Sequence, residues 1–304
     1  MTIVMKIIKY LTFAILCATM ASACSSEDVT KESETRVPLE ITIGNYDTRS
    51  IIEGTTIPYQ TSFGIFGIPN SYSFDGTIAD DINNVSVFYD GQCTLSKDVL
   101  LDSTPIYLKA YYPYNKDLTG RYITINSSDQ ADYLFGESVW AYHPYYVDNK
   151  NPKADIVFRH VLSRLTLRIK HTEKYRDDFK LTELSVYPLY ESTQFDVYTG
   201  KLLESKWKDK WTEFPINMNV SKDFHTVDYL IIPFTITGTV SIMLTQENKS
   251  YNICKIPGKM EGGQQYTYDI IYDDNGIKVS EAVITPWEST TQSEMDITDD
   301  NLVK

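Results

Sequence analysis

Short apolar-polar alternations, each closed by turn formers, set the tightest limit on how this chain folds. They recur at Leu39 to Ile43, Val85 to Tyr89, Ile106 to Tyr112, Tyr122 to Ile125, Ile156 to Phe158 and Leu165 to Ile169. They continue at Leu184 to Tyr187, Tyr229 to Pro233, Val240 to Leu244 and Tyr266 to Tyr272. A period of two residues puts one face of a strand on a core and the other in water. Strands at this spacing, separated by turn residues, build sandwiches rather than βαβ units. The 23 tyrosines suit pleated, half-buried surfaces. No stretch keeps a helical apolar period for long, so any helix should be short. The clearest hairpin is expected where Tyr266 to Tyr272 meets Asp273-Asp274-Asn275-Gly276 and returns along Ile277 to Ile284, with Asn-Gly supplying a type I′ turn. A polar segment, Asp148-Asn149-Lys150-Asn151-Pro152-Lys153, marks the expected boundary between two strand-rich halves.

The start of the chain sets its compartment. Lys6 and Lys9 precede an uncharged apolar run, Tyr10 to Met20, and the small residues Ala21-Ser22-Ala23 stand directly before Cys24. That order reads as an export signal, residues 1–23, cut between Ala23 and Cys24 with lipid added to the Cys24 thiol. The run falls short of the roughly 20 residues that span a bilayer. Residues 24–36 are polar and acidic, too poor in apolar groups to fold, and read as a tether. The acidic Ser25-Ser26-Glu27-Asp28 resembles the surface-export signal of Bacteroidetes lipoproteins.

Charge narrows the partners. The 304-residue chain carries a formal net charge of −13, and loss of the signal, with its two lysines and no acid, makes the mature protein more acidic still. Phosphate backbones need concentrated Lys and Arg, so nucleic acid is disfavoured as a partner. An electrostatic membrane patch is disfavoured for the same reason, leaving the lipid as the membrane contact. Cys93 and Cys254 lie far apart in sequence and read as small buried hydrophobes rather than a disulfide.

No catalytic constellation is present: the sequence holds no G-x-S-x-G, H-E-x-x-H, P-loop or G-x-G-x-x-G motif. His143, His160, His171 and His225 lack metal-ligand spacing, and no cofactor or metal is expected. His160 reads as a hydrogen-bonded structural residue. The expectation is a protein that is not an enzyme. Aromatic segments offer a different chemistry. Tyr111 to Tyr114 reads as structural, rings buried at a sandwich edge, whereas Trp207 and Trp211 on the charged run Lys206 to Trp211 could form an exposed platform for a sugar face.

A series of motifs runs along the chain: Val37-Pro38-Leu39-Glu40-Ile41-Thr42-Ile43, Asp47-Thr48-Arg49-Ser50, Phe63-Gly64-Ile65-Phe66-Gly67 and Ala110-Tyr111-Tyr112-Pro113-Tyr114. Asp132 to Gly136, Phe158 to Leu165, Leu230 to Pro233, Gly262 to Tyr268 and Ile284-Thr285-Pro286-Trp287 complete it. In this order the motifs resemble the fimbrillin (Mfa-like, type V pilin) family of Bacteroidales. The resemblance implies two tandem transthyretin-like (Ig-like, Greek-key) β-sandwich domains, here residues 37–152 and 153–287, with a polar tail at 288–304. It implies export as a lipoprotein precursor to the outer membrane, then removal of the first strand by an arginine-specific protease. The opened groove takes a strand from another fimbrial subunit, which is β-augmentation.

Leu39, Ile41 and Ile43 fit the removable strand, alternating with Glu40 and Thr42. Cleavage after Arg49 would release it; cleavage at Arg36, the alternative, would leave it in place. The tail departs from the pilus-forming pattern, since Glu288 to Lys304 is mostly polar with only Met295, Ile297, Leu302 and Val303 apolar. A tip, accessory or anchoring role therefore stands beside a stalk role. The second reading is a non-polymerising surface lipoprotein that binds glycan or a host protein through an aromatic face.

Overall fold

The computed structural model describes residues 35–44, 57–72, 76–140, 143–175, 177–248 and 250–287. From Arg36 onward they belong to one compact unit. The architecture is all-β, and the one helical element among the described residues is a single 3-10 turn, Asp80–Ile82.

The first half is a nine-stranded sheet. Its order runs Glu40–Ile43, Lys153–His160, Leu134–Trp140, Ile106–Tyr112, Thr61–Pro69, Val85–Tyr89, Cys93–Leu95, with two short strands added at its side. Neighbours along this path are antiparallel except Glu40–Ile43, which runs parallel to Lys153–His160. The two ends of the path, Glu40–Ile43 and Cys93–Leu95, approach each other, so the sheet curls around its own core. Ile41, Phe63, Ile65, Leu108, Ile156 and Phe158 fill that core, with Phe63 and Phe158 edge to face at 5.2 Å. Thr61–Pro69 (TSFGIFGIP) is buried on both faces, which explains its glycines. A Cβ on Gly64 would lie 2.2 Å from the Tyr111 ring on the facing strand.

The second half is a true sandwich. One sheet orders His225–Ile231, Ser163–His171, Gln264–Asp273 and Gly276–Val279, and the other orders Thr212–Val220, Phe179–Tyr187, Phe234–Gln246 and Tyr251–Met260. Their inner faces share one core that includes Leu167, Leu184, Ile242 and Tyr268. Thr212–Val220 alternates buried and exposed at every residue, although Pro215 and two asparagines hide this from a propensity reading.

A third sheet joins the halves. Tyr122–Asn126 pairs with Tyr190–Asp196, which pairs with Lys201–Trp207. Beneath it Phe66, Tyr111 and Phe135 meet Phe195, Val197 and Trp287. Asp196 pins one end: its carboxylate takes Arg121 Nε at 3.0 Å, Thr199 Oγ1 at 2.6 Å and the Tyr198 amide at 3.1 Å. Burial opposes ionisation of Asp196, yet these donors hold its carboxyl below the usual carboxylate range.

Two expectations are corrected. The return strand of the final hairpin is broken: Gly276–Val279 and Val283–Pro286 both pair with Gln264–Asp273, separated by Ser280 to Ala282. The loop residues are Asp274 and Asn275, and the positive φ belongs to Gly276 (+121°), so the turn is not type I′. The polar segment Asp148 to Asn151 is a turn, with amides of Lys150 and Asn151 each 2.8 Å from Asp148 Oδ1. The strand that follows it belongs to the first sheet, not to the second half. The chain passes between cores at Val161-Leu162 instead.

Candidate strand-accepting site

The first strand is built to be held at both sides of an opening. Val37–Pro38 pairs antiparallel with Leu100–Leu101, and the Leu39 amide donates to Val99 O at 2.9 Å. After Leu39 the chain changes partner. Glu40–Ile43 runs parallel to Lys153–Ile156, with the Glu40 amide on Pro152 O and the Gly44 amide on Ile156 O, each at 2.9 Å. The strand thus spans the gap between two sheet edges that do not pair with each other.

Side chains follow the alternation. Leu39 and Ile41 are each 5% exposed and pack into the first core, and Ile43 is half-buried against it. Glu40 and Thr42 face outward. Glu40 stands opposite Lys153 in the register, and Thr42 Oγ1 donates to the Asp155 carboxylate. Burying one Leu or Ile side chain contributes about 1.5–3 kcal/mol, so two full anchors and a partial one dominate docking. The sequence pattern identified Leu39, Ile41 and Ile43; it did not identify Val99 to Leu101, Lys153 or Asp155 as the receiving edges. The alternation within Lys153–His160 (KADIVFRH) was the signal available for the last two.

Arg36 is exposed directly before Val37, near Asp102. Asp102 is held below its ordinary range by hydrogen bonds from Thr104, against slight desolvation, and then by the nearby Arg36 charge. Ala23, Cys24, Arg49 and the tail 288–304 lie outside the described residues.

Trp207 and Trp211 sit on either side of a loop and pack on different tyrosines. Trp207 is 37% exposed and lies 3.9 Å from the Tyr190 ring; Trp211 is half-buried, 5.8 Å from the Tyr187 ring. Tyr111 is buried, its hydroxyl donating to Asn84 Oδ1 at 2.7 Å and receiving the Asn115 amide at 3.2 Å. Burial pushes its phenol up to about 12. His160 is buried too, its Nδ1 2.9 Å from Asp132 and its ring stacked on Trp287 at 3.6 Å. Cys93 and Cys254 are free thiols. Among the described residues no three His, Cys, Asp or Glu side chains gather to hold a metal.

A polar cluster escaped the sequence reading. On the outer face of the first sheet Lys109, 5% exposed along its side chain, pairs with Glu137 at 2.8 Å and sits under the Tyr72 ring at 3.9 Å. Arg159 reaches Glu137 at 3.5 Å, and Tyr72 donates to it at 3.0 Å. Desolvation favours a neutral Glu137, but its hydrogen bond and attraction to Lys109, then Arg159, keep its carboxyl low. Cross-strand register explains the meeting: Lys109 stands opposite Glu137.

Comparison with known proteins agrees with this architecture. The chain overlays on a candidate cell adhesion protein from Bacteroides uniformis with TM-score 0.62 at 20% identity, covering 83% of this chain and 99% of that one. One from Bacteroides ovatus gives TM-score 0.64 at 16% identity, covering 85% and 100%. One from Bacteroides fragilis gives 0.51 at 10% identity, covering 86% and 100%. No curated protein matches the chain in sequence. The fimbrillin-like family model matches residues 48–287, most of the chain, and the protein belongs to the fimbrillin-like family.

Proposed function

We propose that this protein is a surface fimbrial subunit or adhesin, exported as a precursor lipidated at Cys24 and activated for assembly by loss of its first strand. Cleavage after Arg49 frees the strand together with the lipid; cleavage at Arg36 leaves Val37 to Ile43 docked. The observation that carries this reading is the seating of Val37 to Gly44, a terminal edge strand whose removal exposes two main-chain edges and two deep apolar pockets at once. Such an opening is what a strand from another subunit needs, since main-chain bonds supply affinity and alternate pockets supply specificity. The family membership and the adhesion assignments of the structural neighbours support the same reading.

In this reading the chain forms two domains that divide at Val161-Leu162 and are joined by the three-stranded sheet. The test is to cut the purified chain at Arg49 and follow its mass in solution. Growth into head-to-tail oligomers after cutting, with the uncut precursor staying monomeric, is the expected result. A cut chain that neither assembles nor captures a strand peptide sinks the proposal.

A monomeric, ligand-binding role is the second reading, favoured by the exposed indole of Trp207 on Tyr190. A glycan array signal lost in Trp207→Ala, with no assembly after cutting, would support it.

A further inference from the structure

The outer face of the first sheet is covered for only part of its length. Along Ile106–Tyr112, the residues Tyr107, Lys109 and Tyr111 alternate onto this face. The junction closes over Tyr111, together with Phe66 and Phe135. Beyond that cover stand Tyr107 and Lys109, with Tyr146 and Glu137 opposite them on the neighbouring strands. Four tyrosine rings follow one another here: Tyr72 to Tyr107 at 6.0 Å, Tyr107 to Tyr146 at 6.0 Å, and Tyr146 to Tyr145 at 5.5 Å. The first two pairs are steeply inclined, at 68° and 65°, so the rings form a trough-like surface rather than one flat patch. All four keep exposed area, Tyr72 most at 41%. Lys109 Nζ occupies one face of the Tyr72 ring at 3.9 Å, so that exposed area lies on its other face and its edge.

A carboxylate beside the rings is half used. Glu137 Oε2 takes both the Lys109 ammonium, at 2.8 Å, and the Tyr72 hydroxyl, at 3.0 Å. Its other oxygen, Oε1, has the Arg159 guanidinium at 3.5 Å, beyond ordinary N–H···O distances. Oε1 therefore keeps room to accept, and Arg159, 43% exposed along its side chain, keeps N–H groups to donate. The Phe135 ring under Arg159, at 4.6 Å, holds the guanidinium in place. We propose that this face is a carbohydrate-binding site for a neutral sugar. The C–H face of the sugar ring packs on the tyrosines, one hydroxyl donates to Glu137 Oε1, and its neighbour accepts from Arg159.

A sugar ring carries both complementary surfaces within a few ångströms. An apolar protein face would strip water from Glu137 and Arg159 without replacing those hydrogen bonds, at a cost that adjacent hydroxyls avoid. Acidic glycans are opposed twice, by the chain's net charge of −13 and by the carboxylate at the site. The polar groups are already fixed, Lys109 being buried beneath them, so little ordering is left for binding to supply. The site shares no residue with Trp207 and its tyrosine. Its tyrosines, Glu137 and Arg159 lie outside the first strand, so the proposal does not rest on strand loss, and binding and assembly are compatible in one subunit.

The experiment screens the full, uncut chain on an array of neutral, sialylated and uronate oligosaccharides, then titrates the best neutral binder by calorimetry. A neutral glycan should bind. Tyr146→Ala should weaken it about fivefold through the lost ring contact. Arg159→Gln should weaken it about tenfold or more through the lost charged hydrogen bond. Both side chains are partly exposed, and unchanged thermal melting shows which variants keep the fold; full affinity in a folded one overturns the proposal. Trp207→Ala should bind as the unmutated chain does. A signal lost in Trp207→Ala but kept in Tyr146→Ala and Arg159→Gln places the sugar at the indole and overturns this inference while supporting the second reading above. Binding of acidic glycans alone, or of none, also overturns it and leaves the strand-loss reading standing.

Discussion

Replacing Ile41 by alanine tests whether the first strand is part of the core or merely lies on it. Ile41 is 5% exposed, among Ile156, Phe158 and their neighbours, and its strand ends the sheet. Truncating a buried Ile to Ala costs about 2–5 kcal/mol. The low end applies, because an edge strand can settle into part of the cavity, so about 2–3 kcal/mol is expected. For a domain of this size each kcal/mol moves the midpoint by about 2–4 °C. The precursor should therefore melt roughly 4–12 °C lower. Two controls bracket it: Ile43→Ala, half-buried, should lose about half as much, and Glu40→Ala, exposed, should stay within about 0.5 kcal/mol. Calorimetry of the uncut protein reads all three. The order Ile41, Ile43, Glu40 is the content of the prediction. If Ile41→Ala melts no lower than Glu40→Ala, the strand is not anchored through its alternate side chains and the reasoning fails.

Other outcomes follow from the same geometry. Gly64→Ala places a methyl 2.2 Å from the Tyr111 ring, so the first sheet or the junction must shift at a cost of about 1–3 kcal/mol, read by chemical denaturation. Acid should loosen the junction: Asp196 has a folded pKa below its unfolded value, so its contribution is complete above about pH 4 and is lost as pH falls through the lower folded value. Asp196→Asn should flatten that acid limb of stability while lowering stability at neutral pH. Glu137→Ala strands the buried Lys109 ammonium and should cost about 3–5 kcal/mol, while Lys109→Met with Glu137→Leu together should cost far less, since the pair's attraction is offset by its desolvation. Equal losses from the single and double variants would contradict the desolvation argument.

The sequence disclosed what has a period. Val85–Tyr89 and Ile106–Tyr112 appear as strands at the expected residues, and Leu39, Ile41 and Ile43 point as their alternation demands. What it concealed lacks a local signature. Thr61–Pro69 is apolar on both faces, so no alternation marks it, although its Phe-Gly-Ile-Phe-Gly motif carried the family resemblance. Tyr190–Asp196 and Lys201–Trp207 are too polar to look like strands; they pair with each other, and Tyr190–Asp196 is held on its other side by Tyr122–Asn126 about 70 residues away. Arg121 with Asp196, and Lys109 with Glu137, are contacts of register, and register is a property of the folded sheet. The boundary at Pro152 failed for a related reason. A polar turn looks the same whether it separates domains or, as at Asp148, only bends the chain between two strands of one sheet. At the candidate site the inserted strand was legible and its receiving edges were not, because a strand carries its own pattern and a groove is assembled from distant residues.

Assembly by strand exchange requires the first strand to leave the mature protein. Intact-mass and N-terminal analysis of the protein recovered from the cell surface tests it most directly. Strand loss after cleavage at Arg49 predicts a chain that begins at Ser50, with Leu39 to Ile43 and the Cys24 lipid gone from assembled material. Assembled material in which every chain still begins at a lipidated Cys24 would contradict it.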